Sequence, residues 1–334
     1  MRALVFEDIR TPVVKEVPIP GIGAQDVLIR VKAAGICGTD VHIYEGEYFS
    51  EFPLIPGHEF SGVVEDIGEK VTTVLPGERV TADPNIGCGK CYFCKINQQN
   101  QCENLGAVGV TRDGAFAEYL VVPEEKVFSI GDMSFEDAAM IEPTACVVYG
   151  LQQHPVPLGA EVLIFGAGPI GLTLLQLIKH GGASRVVMVE KRQNRIDLAY
   201  SLGADIVISA DGNETEALKD LSSTGFDVVL DATGIPKVVE GMIHFVRNCG
   251  ILFFFGVCPK DDLIWISPYE IFRRDLKVCG SFALRNTFAP AIRFLQNHVV
   301  QVTPLLSHSF PFEQFEEALT VMRSGDSMKV QLHP

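Results

Sequence analysis

The 334-residue sequence contains no window of about 18 uninterrupted apolar residues, so no helix of it is expected to span a membrane. It also lacks an export signal: MRALVFEDIRTP carries acids and a proline where a secretory signal needs an apolar run of about 7 to 15 residues. Runs of five or more Lys and Arg are missing too, and a formal charge of −15 repels phosphate backbones and anionic membranes. Nucleic acid and membrane are therefore not expected partners, and the expected location is the cytoplasm. Internal repeats and low-complexity segments are absent, and 47% hydrophobic against 21% charged residues excludes a disordered chain.

Cysteine is sparse except in one place. Of nine cysteines, four fall within GCGKCYFCKINQQNQC at 87–102, as Cys88, Cys91, Cys94 and Cys102. Without export these are reduced thiols, and C-x2-C-x2-C-x7-C spacing points to a metal rather than to disulfides. Four thiolates complete a tetrahedral zinc and leave no position for water or substrate, so this cluster is expected to be structural.

The chain changes texture along its length. The first 150 residues hold short β-branched runs broken by Gly and Pro, such as DVLIRVKAAG (26–35), FSGVVEDIG (60–68), GERVTADP (77–84) and AFAEYLVVP (115–123). They predict short, largely antiparallel strands in an irregular barrel. From 151 to 282, six apolar strand candidates alternate with helical stretches: EVLIFG, RVVMVE, DIVIS, FDVVLDATG, GILFFFGV and LKVCGSF. That alternation predicts an α/β Rossmann fold with a doubly wound parallel sheet. The pattern turns mixed again over 283–334, read as a return to the first domain, with a helix near 288–298, an amphipathic helix in PFEQFEEALTVMRSG and a final strand MKVQLHP.

In VLIFGAGPIGLTLLQL, Gly166, Gly168 and Gly171 stand in G-x-G-x-x-G spacing between a predicted strand and helix, with Pro169 and Ile170 inside the motif. Such glycines admit a tight turn and close approach to a pyrophosphate, which the helix start then receives on free N–H groups. Glu190 closes the next strand, 19 residues beyond Gly171, where a carboxylate accepts bonds from the adenosine ribose diol and repels a 2′-phosphate. NAD is thus expected rather than NADP, although Lys191, Arg192 and Arg195 just downstream are able to contact a phosphate.

A second, mixed set of metal-binding types lies in the first domain: Cys37, Thr39, Asp40 and His42 in AGICGTDVHIYEG, His58 and Glu59 in IPGHEFSG, and Glu142 in MIEPTACVVYG. Taken singly, each has a structural alternative, a buried thiol or a hydrogen-bonded loop corner. Together, one thiolate, one imidazole and one or two carboxylates are able to hold zinc while leaving a position exchangeable.

With C-G-T-D-x-H, P-G-H-E-x-x-G, the four-cysteine lobe and G-A-G-P-I-G in that order, the whole chain resembles the zinc-dependent medium-chain dehydrogenases, and most of all their sorbitol (polyol) and threonine dehydrogenase branch. The resemblance implies a GroES-like catalytic barrel over 1–150, with the structural zinc lobe near 85–105, beside the NAD-binding Rossmann domain. It implies two zinc ions per chain, the catalytic one on Cys37, His58 and Glu59, with Glu142 as fourth ligand or reached through water. It implies oxidation of a secondary alcohol to a ketone with hydride passing to NAD, Thr39 moving the proton towards a cofactor ribose hydroxyl and His42 receiving it on the solvent side. Asp40 is expected to accept the free ring N–H of His58, and Arg195 to contact the cofactor. The Glu142–Pro143 pair looks more like the polyol than the threonine enzymes. A polyol or sugar-derived substrate is expected, with L-threonine or a sugar-alcohol phosphate as alternatives. The Arg-Tyr pair of the polyol branch is replaced by Ala283 and Leu284, with Arg285 adjacent. A homo-oligomer, tetramer or dimer, is implied, and GILFFFGV is expected near a sheet edge. A catalytically silent zinc-binding relative is the non-enzyme alternative.

Overall fold

The computed structural model describes residues 1–334, which divide into two units. One comprises 1–145, 284–296 and 302–334; the other comprises 146–283 and 297–301.

The second unit is built on six parallel strands, in sheet order Ile206–Ser209, Arg185–Glu190, Glu161–Phe165, Phe226–Asp231, Val246–Phe254, Lys277–Gly280. Numbered along the chain this is 3-2-1-4-5-6, the order of a dinucleotide fold, whose switch point lies where the direction of winding reverses between the first and fourth strands. The central strands are apolar on both faces, and Val162, Leu163, Ile164, Val186, Val187 and Met188 are fully buried. Each such side chain contributes roughly 1.5–3 kcal/mol of burial free energy. The helix Pro169–His180 follows the first strand, with Pro169 at its start and Lys179 and His180 in its last turn, where cations suit the dipole. GILFFFGV lies next to the edge, as expected: Val246–Phe254 has a partner on either side, and Lys277–Gly280 is the outer strand. Both faces of GILFFFGV are apolar, which suits an interior strand, whereas the outer strand is short and mostly exposed.

The first unit is organised by Asp26–Gly35 in a seven-stranded sheet. That strand pairs antiparallel with Tyr119–Pro123 near its start, with Glu59–Ile67 along its length and with Lys329–His333 at its end. The register sets Gly35 opposite Glu59 on one side and opposite Gln331 on the other. Three distant pieces of chain therefore meet at one glycine. Phe6, Tyr44, Phe116 and Phe315 pack as tilted and edge-on ring pairs in the core beneath, Phe315 entering from the predicted amphipathic helix, Phe315–Ser324. That helix ends at Gly325, in the left-handed conformation at φ 74° that favours glycine.

Candidate metal centres and nucleotide loop

The cysteine lobe is closed at its base by the short ribbon Asn85–Ile86 with Gly106–Ala107. The sulfurs of Cys88, Cys91, Cys94 and Cys102 all lie within 4.8 Å of one another. Backbone N–H groups point at them: Cys88 and Asn104 donate to Cys102 Sγ at 3.3 and 3.4 Å, and Cys91 donates to Cys88 Sγ at 3.4 Å. The N–H groups of Cys94 and Glu103 pull the Cys91 thiol down to about 6. Burial, with Cys102 and Cys91 alongside, pushes Cys94 up to about 12. Four sulfurs so close cannot all ionise unaided, and a zinc ion is the partner that their geometry and chemistry fit.

The second centre starts at the end of Asp26–Gly35. Cys37 precedes the helix Gly38–Glu45, whose third residue, Asp40, accepts the Cys37 N–H on Oδ2 at 2.8 Å. Asp40 Oδ1 accepts the N–H of Gly57 at 3.2 Å, so one fully buried carboxylate ties the Cys37 turn to the His58 turn. Asp40 also faces the His58 ring. Its Oδ1 is 3.6 Å from His58 Nδ1, too far for a hydrogen bond, because backbone amides hold the carboxylate. Burial opposes charge on the imidazole, but Asp40 and Cys37 outweigh it and hold the His58 pKa well above its ordinary value.

Cys37, His58 and Glu59 bring one ligand atom each within 4.8 Å of the others. A thiol, a buried imidazole whose Nδ1 has no hydrogen-bond partner, and a carboxylate form a donor set that fits zinc. Glu142, buried in the first turn of the helix Ile141–Gln153, is outside that 4.8 Å group. Thr39 Oγ1 lies 3.8 Å from Cys37 Sγ, and His42 Nδ1 meets Glu47 Oε2 at 2.8 Å. Ala283 has left-handed backbone at φ 54°, and Leu284 is buried at 1% exposure, so neither offers substrate what the Arg-Tyr pair would.

Two groups escaped the sequence reading. Lys329, buried in the final strand, donates to Glu59 Oε1 at 2.7 Å and Oε2 at 2.6 Å, and to the carbonyl of Ile36 at 3.2 Å. Burial works against its charge, yet Glu59, then Cys37 and Glu142, raise its pKa above the ordinary lysine value. Its only sequence signal is a lone cation in an apolar final strand. Tyr48, stacked on Phe49 at 4.3 Å, is the other: burial and Cys37 raise its phenol against the opposing charge of His58.

In the second unit, Gly166 turns at φ 97°, and a Cβ there would come 2.9 Å from the Thr233 methyl. A Cβ on Gly171 would come 2.0 Å from the Gly166 carbonyl oxygen, so helix and loop close only around glycine. Gly168 caps the helix, followed by Pro169 and Ile170 in its first turn. Beside Gly168 there is open space except for the Arg195 guanidinium, 3.8 Å from where a Cβ would sit. Glu190 does more than end its strand: Oε2 accepts the N–H of Ala167 at 2.9 Å, while Oε1 accepts those of Lys191 and Arg192 at 2.7 and 3.0 Å. Asp231 supports the neighbouring turn, taking the N–H groups of Thr233 at 2.9 Å and Gly234 at 3.1 Å.

Comparison with known proteins agrees with both halves. Residues 23–132 match the alcohol dehydrogenase GroES-like domain and 169–297 the zinc-binding dehydrogenase domain. The chain is 38% identical to D-arabinitol dehydrogenase 1 of Uromyces fabae, over all of this chain and 97% of that protein. It is also 38% identical to D-altritol 5-dehydrogenase of Agrobacterium fabrum, over 99% of both. A zinc-binding dehydrogenase of Sinorhizobium meliloti, solved bound to NADP, superposes with a TM-score of 0.95 at 31% identity, over 100% of this chain and 99% of that one. A GroES-like unit, a six-stranded nucleotide fold and relatives matched from end to end leave one assignment: the chain belongs to the zinc-dependent medium-chain dehydrogenases, in their polyol and threonine dehydrogenase branch.

Proposed function

We propose that the chain reversibly oxidises a secondary alcohol of a polyol or related sugar-derived substrate to the ketone, with hydride passing to NAD. The observation that carries this reading is the Cys37, His58 and Glu59 set: three donor atoms within 4.8 Å, enough to hold a metal and too few to close its shell. Zinc bound there supplies Lewis acidity, lowering the pKa of the substrate hydroxyl. The chain's own residues handle the proton. Thr39 Oγ1, beside Cys37, accepts it and releases its own onward. His42 is the solvent-side acceptor, with Nδ1 directed to Glu47 and Nε2 left for the transfer. Asp40 fixes the two ligand-bearing turns, and Glu142 fits a carboxylate reached through water.

For the cofactor, Gly166, Gly168, Pro169, Ile170 and Gly171 receive the pyrophosphate, and Arg195 lies beside them. Glu190 favours NAD: its three backbone bonds leave a carboxylate lone pair for a ribose hydroxyl, and its charge opposes a 2′-phosphate. The relatives named for D-arabinitol and D-altritol support an acyclic polyol as substrate. A panel of polyols, sugar phosphates and threonine with NAD and with NADP, followed by nicotinamide absorbance, tests both points. Polyol turnover with NAD is expected. Cys37→Ala should abolish it and lose one of two zinc ions with the circular dichroism unchanged; near wild-type turnover by that variant would refute the assignment.

A homo-oligomer also fits. The outer strand Lys277–Gly280 has a free edge within the chain, and Val257, Leu263, Trp265, Tyr269 and Phe272 are exposed in the segment leading to it.

A further inference from the structure

The cysteine lobe closes its own metal shell, but a series of hydrogen bonds leads out of it. Asn97 follows the lobe's short helix, Tyr92–Lys95, and its N–H donates to the carbonyl of Cys94 at 3.1 Å. Its side-chain Oδ1 accepts from Asn286 Nδ2 at 3.2 Å, across 189 positions of sequence. Both asparagines have left-handed backbone, at φ 59° and 55°, a conformation that few side chains adopt and that asparagine and aspartate tolerate. The backbone at both ends therefore suits these two residues. Beyond Asn286 the next side chain is fully buried: Thr287 Oγ1 donates to the carbonyl of Ala145 at 2.8 Å, and the Thr287 carbonyl accepts the Ala291 N–H at 3.0 Å as the helix Phe288–Gln296 begins. Ala145 stands three positions after Glu142 in the helix Ile141–Gln153, and residues so spaced are neighbours on one helix face. Asn97, Asn286, Thr287 and Ala145 all belong to the unit that holds Cys37, His58 and Glu59.

We propose that Asn97 and Asn286 are positioning residues for the catalytic centre: their side-chain bond fastens the loop before Thr287 to the zinc lobe, and Thr287 in turn holds the helical turn that presents Glu142. The inference rests on the reading of Glu142 as a carboxylate of that centre. Leu284, buried at 1% exposure, anchors the other end of the same loop. The two amides are exposed, and a hydrogen bond of this kind is worth roughly a 2- to 10-fold shift in a conformational equilibrium. A shift of that size displaces a side chain without unfolding a domain.

The test uses the full-length, zinc-loaded protein, with amide hydrogen exchange over the helix Ile141–Gln153 as a readout besides turnover. Asn97→Gly and Asn286→Gly each keep the left-handed backbone and delete the amide. Each should lower kcat about 2- to 10-fold, leave KM for NAD unchanged and speed exchange at the start of that helix by a similar factor, with the zinc content unaltered. The double variant should be no worse than either single one, since both remove one and the same bond. Asn97→Asp keeps the acceptor and should stay near wild type, whereas Asn286→Asp removes the donor and should match the glycine variants. These two carry the same charge change, so only the hydrogen bond separates them. Wild-type kcat and exchange in both glycine variants, or losses that add in the double variant, would overturn the proposal. Should Asn97→Gly lose the lobe's zinc, Asn286→Gly, which lies outside the lobe, decides by the same readings. Wild-type turnover by Glu142→Gln would instead remove Glu142 from the catalytic centre, and hydrogen exchange in the glycine variants would still judge the tie itself.

Discussion

At the scale of single residues, the chemistry depends on atoms that are missing as much as on those present. Gly35 is conspicuous only because Glu59 lies over it. Gly35→Ala would bring a methyl carbon 2.2 Å from Glu59 Oε2 and push the carboxylate off Lys329. We expect a loss of about 1–3 kcal/mol in urea unfolding, as for other overpacked cores, and a larger fall in kcat/KM than that stability loss explains. Unchanged kinetics would mean that the Glu59 position is not critical. Glu190 carries a double load of another kind. Glu190→Ala removes the acceptor of three backbone N–H groups and should raise KM for NAD at least tenfold while reducing discrimination against NADP. Steady-state kinetics with both cofactors would show it, and an unaltered cofactor ratio would refute the NAD argument.

At the scale of elements, the nucleotide fold is joined by small polar ties between its strands and helices. Asp205, just before the strand Ile206–Ser209, accepts from Lys179 of the first helix at 2.8 Å and from the Val186 N–H at 2.6 Å. Burial alone would raise its pKa, but Lys179 and the Val186 N–H outweigh burial and hold it below the ordinary 3.8. A depressed carboxylate pKa stabilises the fold above the unfolded-state value and loses that contribution as pH falls through the folded one. Both partners are about one-third exposed, so the term is modest. Asp205→Asn should cost roughly 0.5–1 kcal/mol at pH 7, and the gap to wild type should close below about pH 3.8, as read from unfolding midpoints across pH. A constant gap down to pH 2 would contradict the assignment.

For the whole molecule, the two metal centres should fail differently. Cys88→Ser breaks a closed shell and should lower the melting temperature and remove the structural zinc before it touches chemistry. Metal content and thermal unfolding would read this, and a variant of wild-type stability with both zinc ions would contradict a structural role. Assembly is the other question at this scale. Trp265 and Phe272 are each 83% exposed, large apolar rings that a subunit contact would cover. Trp265→Glu combined with Phe272→Glu should shift the protein to a smaller species in light scattering; an unchanged mass would place any subunit contact elsewhere.

Much of this was legible in residue order, because the signals are local. The strand and helix alternation, the glycine spacing and the C-x2-C-x2-C-x7-C lobe each lie within one short stretch, where period and turn chemistry report directly on structure. The family motifs likewise brought Cys37, His58 and Glu59 to attention. What the sequence could not display is set by long-range pairing. Lys329 meets Glu59 across 270 residues because two strands flank Asp26–Gly35. Asp40 accepts two backbone amides as well as facing the His58 ring at 3.6 Å, because two turns approach it from different segments. That Lys277–Gly280 is the outermost strand, with GILFFFGV next to it, is decided by the folded sheet, since strand order is a property of tertiary pairing and apolarity reports burial without rank. The order of residues determined which elements form and which side chains are able to do chemistry. Only the tertiary structure decided which charge each functional group faces, because that depends on pairing register between strands far apart in the chain.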